Sequence, residues 1–316
     1  MDELKPFFSK SMVLMAAIAA ISTIIMGTFL PTLILSGGIV EASGKSPEIV
    51  LASLGVQEAM KIRLEGFTKA IAQKQTDKEN QFNFAVTPEF QGNTLYEVAL
   101  DDSEKAIALT FDDGPWPIYT EQVLDILKEQ DIKATFFLIG QHLKNHPEIA
   151  QKVVEAGHAL GNHTWSHQYH NVPREIAAQE IENTAALIYE KTGCNTKWFR
   201  PPGGVLTNGL NDYALSQNYA VAMWSSDARE SFFSSSGALV NNVLNSAKPG
   251  GIVLLHDGGG DRTATVQALP IIINELKQRG YKFVTLPELL ELYEQHKQSS
   301  LAENTTNPTP VPDGID

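Results

Sequence analysis

Between Thr94 and Glu294, short apolar runs alternate with helical stretches, and this alternation restricts the fold more than anything else in the chain. The apolar runs are Ala106–Phe111, Ala134–Ile139, Ala159–Gly161, Lys197–Arg200, Tyr219–Trp224, Gly251–Leu255 and Tyr281–Thr285. Between and after them lie Tyr119–Gln130, Pro147–Ala156, Pro173–Thr192, Asn208–Gln217, Ala238–Ser246, Val266–Arg279 and Pro287–His296. Strand followed by helix, repeated about seven times, implies a parallel sheet with right-handed crossovers. That many units should curl, so the expected fold is an α/β barrel of about seven strands, continuous or incomplete, rather than an open sheet.

The flanks read differently. Residues 11–40 carry no charged side chain, and the core of this run, Met12–Leu35, has 24 residues. At ~1.5 Å rise per residue, such a helix exceeds the ~30 Å hydrocarbon thickness of a bilayer. Lys5 and Lys10 precede it, which leaves the N-terminus in the cytoplasm and sends the rest of the chain outward. The competing reading is a cleaved signal peptide and a secreted protein, with small residues at Val40-Glu41-Ala42 for the cleavage site. The apolar run is well beyond the ~7–15 residues of a signal core, so residues 1–42 are expected to be an uncleaved single-pass anchor. Residues 43–93 read as a stem and linker. Met60, Leu64, Phe67 and Ile71 fall at helical spacing on one face, and Gln73–Asn83 is polar. Residues 94–296 would form the catalytic domain, and 297–316, with Pro308, Pro310 and Pro312, a disordered tail.

The net charge of -13 argues against nucleic acid and other anionic polymers as partners and fits a neutral substrate. Cys194 is the only cysteine, which excludes an intramolecular disulfide and a thiolate zinc cluster.

The chemistry collects just past the ends of the apolar runs. Thr110-Phe111-Asp112-Asp113-Gly114-Pro115 delivers two adjacent carboxylates to a strand-loop junction. Side by side they repel, and a cation on one would relieve that and leave the other free as a base. Asn162-His163-Thr164-Trp165-Ser166-His167 offers two imidazoles four apart, which one helical turn would point the same way. His170 makes a nearby decoy pair with His167. One aspartate with two histidines forms a facial set that leaves positions open for water and substrate. Trp198-Phe199-Arg200-Pro201-Pro202-Gly203-Gly204 sets an arginine beside a rigid turn, where it can hold a carboxylate, and Gly203 lets a backbone N–H approach a ligand. Ser225-Ser226-Asp227-Ala228-Arg229-Glu230 adds acidic groups after Trp224. Leu254-Leu255-His256-Asp257 presents an imidazole at the same rim, suited to proton donation near neutral pH. Gly258-Gly259-Gly260 lacks the lysine and spacing of a phosphate cradle and reads as a flexible loop.

These motifs occur in this order and separation over residues 104–295, and in that the chain resembles the polysaccharide deacetylase family, carbohydrate esterase family four. The resemblance implies a distorted (β/α) barrel, a divalent metal that is usually zinc and sometimes cobalt, and an N-acetylated polysaccharide as substrate. By position it implies Asp112 as general base, Asp113, His163 and His167 as metal ligands, Arg200 as the group that keeps Asp112 ionised, and His256 as general acid. Gly203 would lend its N–H to the oxyanion. Leu255 would line the acetyl pocket, Trp224 and Pro202 would touch substrate, and Asp227 or Glu230 would orient His256. Two positions depart from the family pattern: Gly203 stands where an aromatic is common, and Ser231 where a tryptophan is common. Both bear on substrate preference more than on reaction type.

The substrate is expected to be a cell-wall or chitin-like polysaccharide, and outward topology, which would place the domain beside the cell wall, favours peptidoglycan N-acetylglucosamine. The competing classes are a carbohydrate-binding protein on the same fold with weak or lost catalysis, a metal phosphoesterase, and a hydrolase of a non-sugar amide such as a cyclic imide. The complete carboxylate and histidine set argues against the first. The acidic balance and the lack of a phosphate clamp beyond Arg200 argue against the second. For the third, no residue signature is present.

Overall fold

The computed structural model describes residues 61–66, 68–69 and 83–306. The apolar run of residues 1–42 and the polar linker lie outside this range. Among the described residues no helix is long and apolar enough to cross a membrane. Two compact units divide at Thr68 and Lys69. In the first, residues 61–66 are helical and exposed. The second carries the fold and the site.

A sheet of nine parallel strands forms its frame, in the order β2-β8-β7-β5-β4-β3-β10-β9, with β11 also on β3. The central strand is β3 (Ala106–Asp112), and every residue of it is buried. On one side it pairs with β10 (Gly251–His256) along its whole length, Gly251 opposite Ile107 through His256 opposite Asp112. On the other side β11 (Lys282–Val284) takes its first half and β4 (Thr135–Leu138) its second. The remaining strands are β5 (Ala159–Asn162), β7 (Trp198–Phe199), β8 (Ala220–Ala222) and the short edge strands β2 (Thr94–Leu95) and β9 (Ser226–Asp227). Edge strands β2 and β9 do not pair with each other. The sheet curls so that the chain leaving β2 forms an isolated antiparallel bridge, Glu97 to Gly251 of β10. The barrel is therefore incomplete. The seven expected runs are all present as strands, and β2 and β9 are the additions. Each is two residues long, too short to leave a period-two signal in the sequence.

Alternation along the strands sorts side chains into an inward core and two outward ones, the smaller of which packs Phe199 of β7 and Val221 of β8 against Ala177 and Ile181. Outward residues Ile107, Leu109 and Phe111 of β3, Phe136 and Leu138 of β4, and Val253 and Leu255 of β10 share one cluster. Against them pack apolar stripes of α1 (Tyr119–Glu129), α3 (Pro147–Glu155), α6 (Ser236–Ser246) and α7 (Thr263–Gln278). Inward residues Ala106, Ala108, Phe137, Trp198, Ala220, Ala222 and Ile252 form a second cluster. Leu286, Leu289 and Leu290 of α8 (Leu286–Thr306) join it beside the first residues of β3. Period two then carries the inward column of β3 on to Thr110 and Asp112, and that of β10 to Leu254 and His256. The lower barrel is filled with small and apolar groups, and the polar ones sit at the carboxyl ends.

Two boundaries differ from the sequence reading. β1 (Asn83–Phe84) pairs with β6 (Asn195–Thr196), and Val86 is 6% exposed within the inner core. Residues 83–93, expected in the stem, thus belong to the packed unit. The last helix runs to Thr306 rather than ending at His296, so the expected tail is helical over its first ten residues, 297–306. Leu301, Ala302 and Glu303 are good helix formers that the flanking polar and proline-rich composition obscured.

Candidate active site

A cavity of about 400 Å³ opens at the carboxyl ends of the strands. Asp113, His163 and His167 meet in it, with one ligand atom of each within 4.8 Å of the others. The Nε2 atoms of His163 and His167 lie 3.5 and 3.2 Å from Asp113 Oδ1. That oxygen is buried and has no hydrogen-bond partner. On the far side of His163, Nδ1 donates to the Arg200 carbonyl at 2.8 Å, which fixes the ring's orientation and leaves Nε2 facing the cluster. Burial raises the pKa of Asp113, but the contacts from His163 and His167 outweigh it and hold the carboxyl well below its usual range. One orphaned carboxylate oxygen and two convergent imidazole nitrogens fit a divalent cation such as zinc.

The two histidines are not on a helical turn, as their spacing suggested. They sit on a loop after β5, with Thr164 and His167 in the left-handed region at φ 67° and 60°. Side chains hold this strained turn. Asn162 Oδ1 accepts from Thr164 N–H at 2.9 Å, and Thr164 Oγ1 from His167 N–H at 3.0 Å. The buried Glu180 of α4 (Arg174–Thr192) accepts from Ser166 N–H and Oγ at 2.8 and 2.6 Å. The first N–H groups of α2 (Gly140–Asn145) cap the carbonyls of Thr164 and Trp165.

Asp112 points into the same cavity from the inward column of β3. Arg200, wholly buried, donates from Nη1 to Asp112 Oδ1 at 2.7 Å and to Thr110 Oγ1 at 2.8 Å. Its Nε and Nη2 reach the carbonyls of Ala222 and Met223, and its guanidinium lies 4.2 Å over the Phe137 ring. A buried guanidinium so fully partnered is a fixed fork for one carboxylate oxygen. Asp112 Oδ2 is left toward His163 Nε2, 3.6 Å away.

His256 closes the opposite wall. Glu230 grips it, with Oε2 on Nδ1 and Oε1 accepting from His256 N–H at 3.1 Å and from Thr265 Oγ1 at 2.5 Å. Burial lowers the imidazole pKa, but Glu230, Asp112 and Asp113 outweigh it and raise it to about 9. Of the two orienting candidates, Glu230 therefore does the work. Asp227 accepts from Arg229 N–H at 2.7 Å and faces a second recess beyond Trp224.

Trp224 and Gly203 line the cavity. Gly203 has φ 60°, and its N–H has no partner among the described residues. Leu255 does not line the cavity. It faces outward into the helix-side core, and Leu254, in phase with His256, takes its place. Strict alternation back from His256 would have shown this. Pro202 is buried and does not line the cavity.

Further groups were given no part in the site by the sequence reading. His142 Nδ1 donates to the Asp113 carbonyl at 2.7 Å, and Tyr169 lines the mouth. Arg262 Nη2 lies 3.6 Å from Asp113 Oδ2, with Nε on the Gly258 carbonyl. Nor is Gly258 part of a loose loop: a Cβ there would stand 2.2 Å from the Asp113 carbonyl oxygen. Asp257 is fully buried, accepts from Thr120 Oγ1 at 2.5 Å, and has its carboxyl raised to about 7 by burial and by repulsion from Asp113 and Asp112.

Fold and site define a class: an incomplete α/β barrel with carboxylates and imidazoles gathered at the strand ends. Comparison with known proteins narrows it. A family profile described as polysaccharide deacetylase matches residues 99–222. The chain is 42% identical over 204 residues to a peptidoglycan-N-acetylglucosamine deacetylase of Bacillus cereus, covering 63% of this chain and 93% of that protein. A solved peptidoglycan N-acetylglucosamine deacetylase, in complex with 4-naphthalen-1-yl-N-oxidanyl-benzamide, has a TM-score of 0.59 at 35% identity, covering 64% of this chain and 94% of that one. A family pseudoenzyme from Bacillus anthracis has a TM-score of 0.57 at 29% identity, covering 63% and 69%. This chain belongs to the polysaccharide deacetylase family.

Proposed function

We propose that the protein hydrolyses the N-acetyl group of N-acetylglucosamine units in a cell-wall polysaccharide, peptidoglycan in the first place, releasing acetate. The observation that carries this reading is the convergence of Asp113, His163 and His167 with the separately held Asp112 and His256 on one cavity. Asp113, His163 and His167 would hold a divalent cation, zinc or else cobalt. When bound, such a cation polarises a carbonyl and lowers the pKa of water.

The chain's own groups do the rest. Arg200 occupies Asp112 Oδ1, so Oδ2 is the oxygen that takes the proton of the attacking water. The unpartnered Gly203 N–H donates to the oxyanion as the acetamide carbon becomes tetrahedral, a contact of the kind that contributes ~2.7–4 kcal/mol elsewhere. Glu230 holds His256 Nδ1, which turns Nε2 and its proton toward the leaving nitrogen. The C–N bond breaks as that nitrogen takes the proton, giving acetate and a glucosamine unit. The uncharged run Met12–Leu35 after Lys5 and Lys10 supports placing the domain outside the cytoplasm on a single-pass anchor.

The test is residues 43–316, loaded with zinc or cobalt, on chitooligosaccharides and on peptidoglycan, with acetate measured. Release from either glycan is expected, faster from peptidoglycan. Oligosaccharide binding without acetate would instead assign the chain to the inactive branch that the Bacillus anthracis relative represents.

A further inference from the structure

The mouth of the cavity has a floor made by Gly203 and Gly204, both left-handed at φ 60° and 69°. Each glycine has an aromatic ring where its side chain would be. A Cβ on Gly203 would stand 2.7 Å from Tyr169 Cε1, and one on Gly204 would stand 2.7 Å from Trp224 Cη2. Both rings line the cavity. Tyr169 is 57% exposed despite its size. Its ring meets that of His167 edge-on, at 4.9 Å between centroids and 87° between planes, which sets its tilt. Its hydroxyl has no hydrogen-bond partner among the described residues. A ring seated from below, oriented from the side and left open above, with a free hydroxyl, is suited to the apolar C–H face and hydroxyl rim of a pyranose.

Building on the glycan reading above, we propose that Tyr169 is a substrate-binding residue. With Trp224 it forms an aromatic cleft across the Gly203-Gly204 floor that grips a hexosamine unit of the glycan. The absence of a side chain at Gly203 is what seats the ring. Tyr169 follows the ligand loop directly, so the loop that presents His167 also presents the wall of the sugar site.

The test is a set of variants: Tyr169→Ala, Tyr169→Phe, Gly203→Ala and the double Tyr169→Ala, Gly203→Ala. Two readouts are needed beside bound zinc: the KM and kcat of acetate release, and calorimetric binding of a chitooligosaccharide in the Asp112→Asn background. Tyr169→Ala should weaken binding about five- to tenfold, with the loss in KM exceeding that in kcat. Tyr169→Phe should fall between. Gly203→Ala should weaken binding by displacing the ring, and should add little once the ring is gone. Calorimetry reads binding whether or not the protein turns over, so failure of the hydrolytic reading and failure of this proposal give different results. Unchanged binding in Tyr169→Ala, or a loss that follows zinc content alone, would reduce the ring to packing for His167 and overturn the proposal.

Discussion

Arg200 shows how a residue far from any solvent sets the chemistry. With four of its five N–H donors placed on Asp112, Thr110, Ala222 and Met223, it fixes one oxygen of Asp112. Asp112→Asn keeps an acceptor for Arg200 and leaves Asp113, His163 and His167 untouched. It should abolish acetate release while bound zinc, read by elemental analysis, stays at one per chain. Retained turnover would remove Asp112 from the base role. His256 gives a second prediction. Its pKa lies above the ordinary value near 6.5, so the imidazolium is present at neutral pH and is lost as pH rises through about 9. If the protonated form is the acid, kcat/KM holds below that value and falls above it. Glu230→Gln removes the main group raising the pKa, so the alkaline limb should move down toward 6.5. A limb that does not move would separate Glu230 from proton donation.

The elements show what the sequence could and could not disclose. β3 and β10 were legible because both are unbroken apolar runs ending in titratable groups, and their pairing places Asp112 opposite His256. Asp112, Asp113 and His163 follow from this logic of strand ends. The His163–His167 turn was not legible as such. Its shape comes from left-handed residues and from Glu180, which lies on the next helix and reaches Ser166 across the fold. Arg262 and Gly258 were hidden for a related reason, since their partner is the backbone and side chain of Asp113, far away in sequence. Glu180→Ala should therefore loosen the ligand loop and weaken zinc affinity by about 10–100-fold, as loss of an outer-shell partner does. Competition with a chelator checks this, and an unchanged affinity would show the loop to be held by Asn162 and α2 alone.

At the scale of the whole molecule, a site built from strands β3 and β5 and their loops exists only in the folded chain, so a cation binding there must stabilise the fold. At a hundred times its dissociation constant the gain is about 2.7 kcal/mol. For a unit of this size that is a rise of roughly 5–10 °C in Tm. Zinc should produce that rise, a chelator should reverse it, and Asp113→Ala should show none. Equal shifts in wild type and Asp113→Ala would place the ion elsewhere. The overall barrel was readable from alternation, whereas the bounds of the packed unit were not, because β1 and β2 are two residues each and the last helix continues into a polar segment. That last helix has one more effect. By stoppering the lower end of the barrel with Leu286, Leu289 and Leu290, it leaves no passage along the barrel axis among the described residues. On the reading proposed above, a glycan could not thread along that axis. It would lie across the rim, so a unit in mid-strand would be as reachable as one at a terminus, and acetate would leave from that same face.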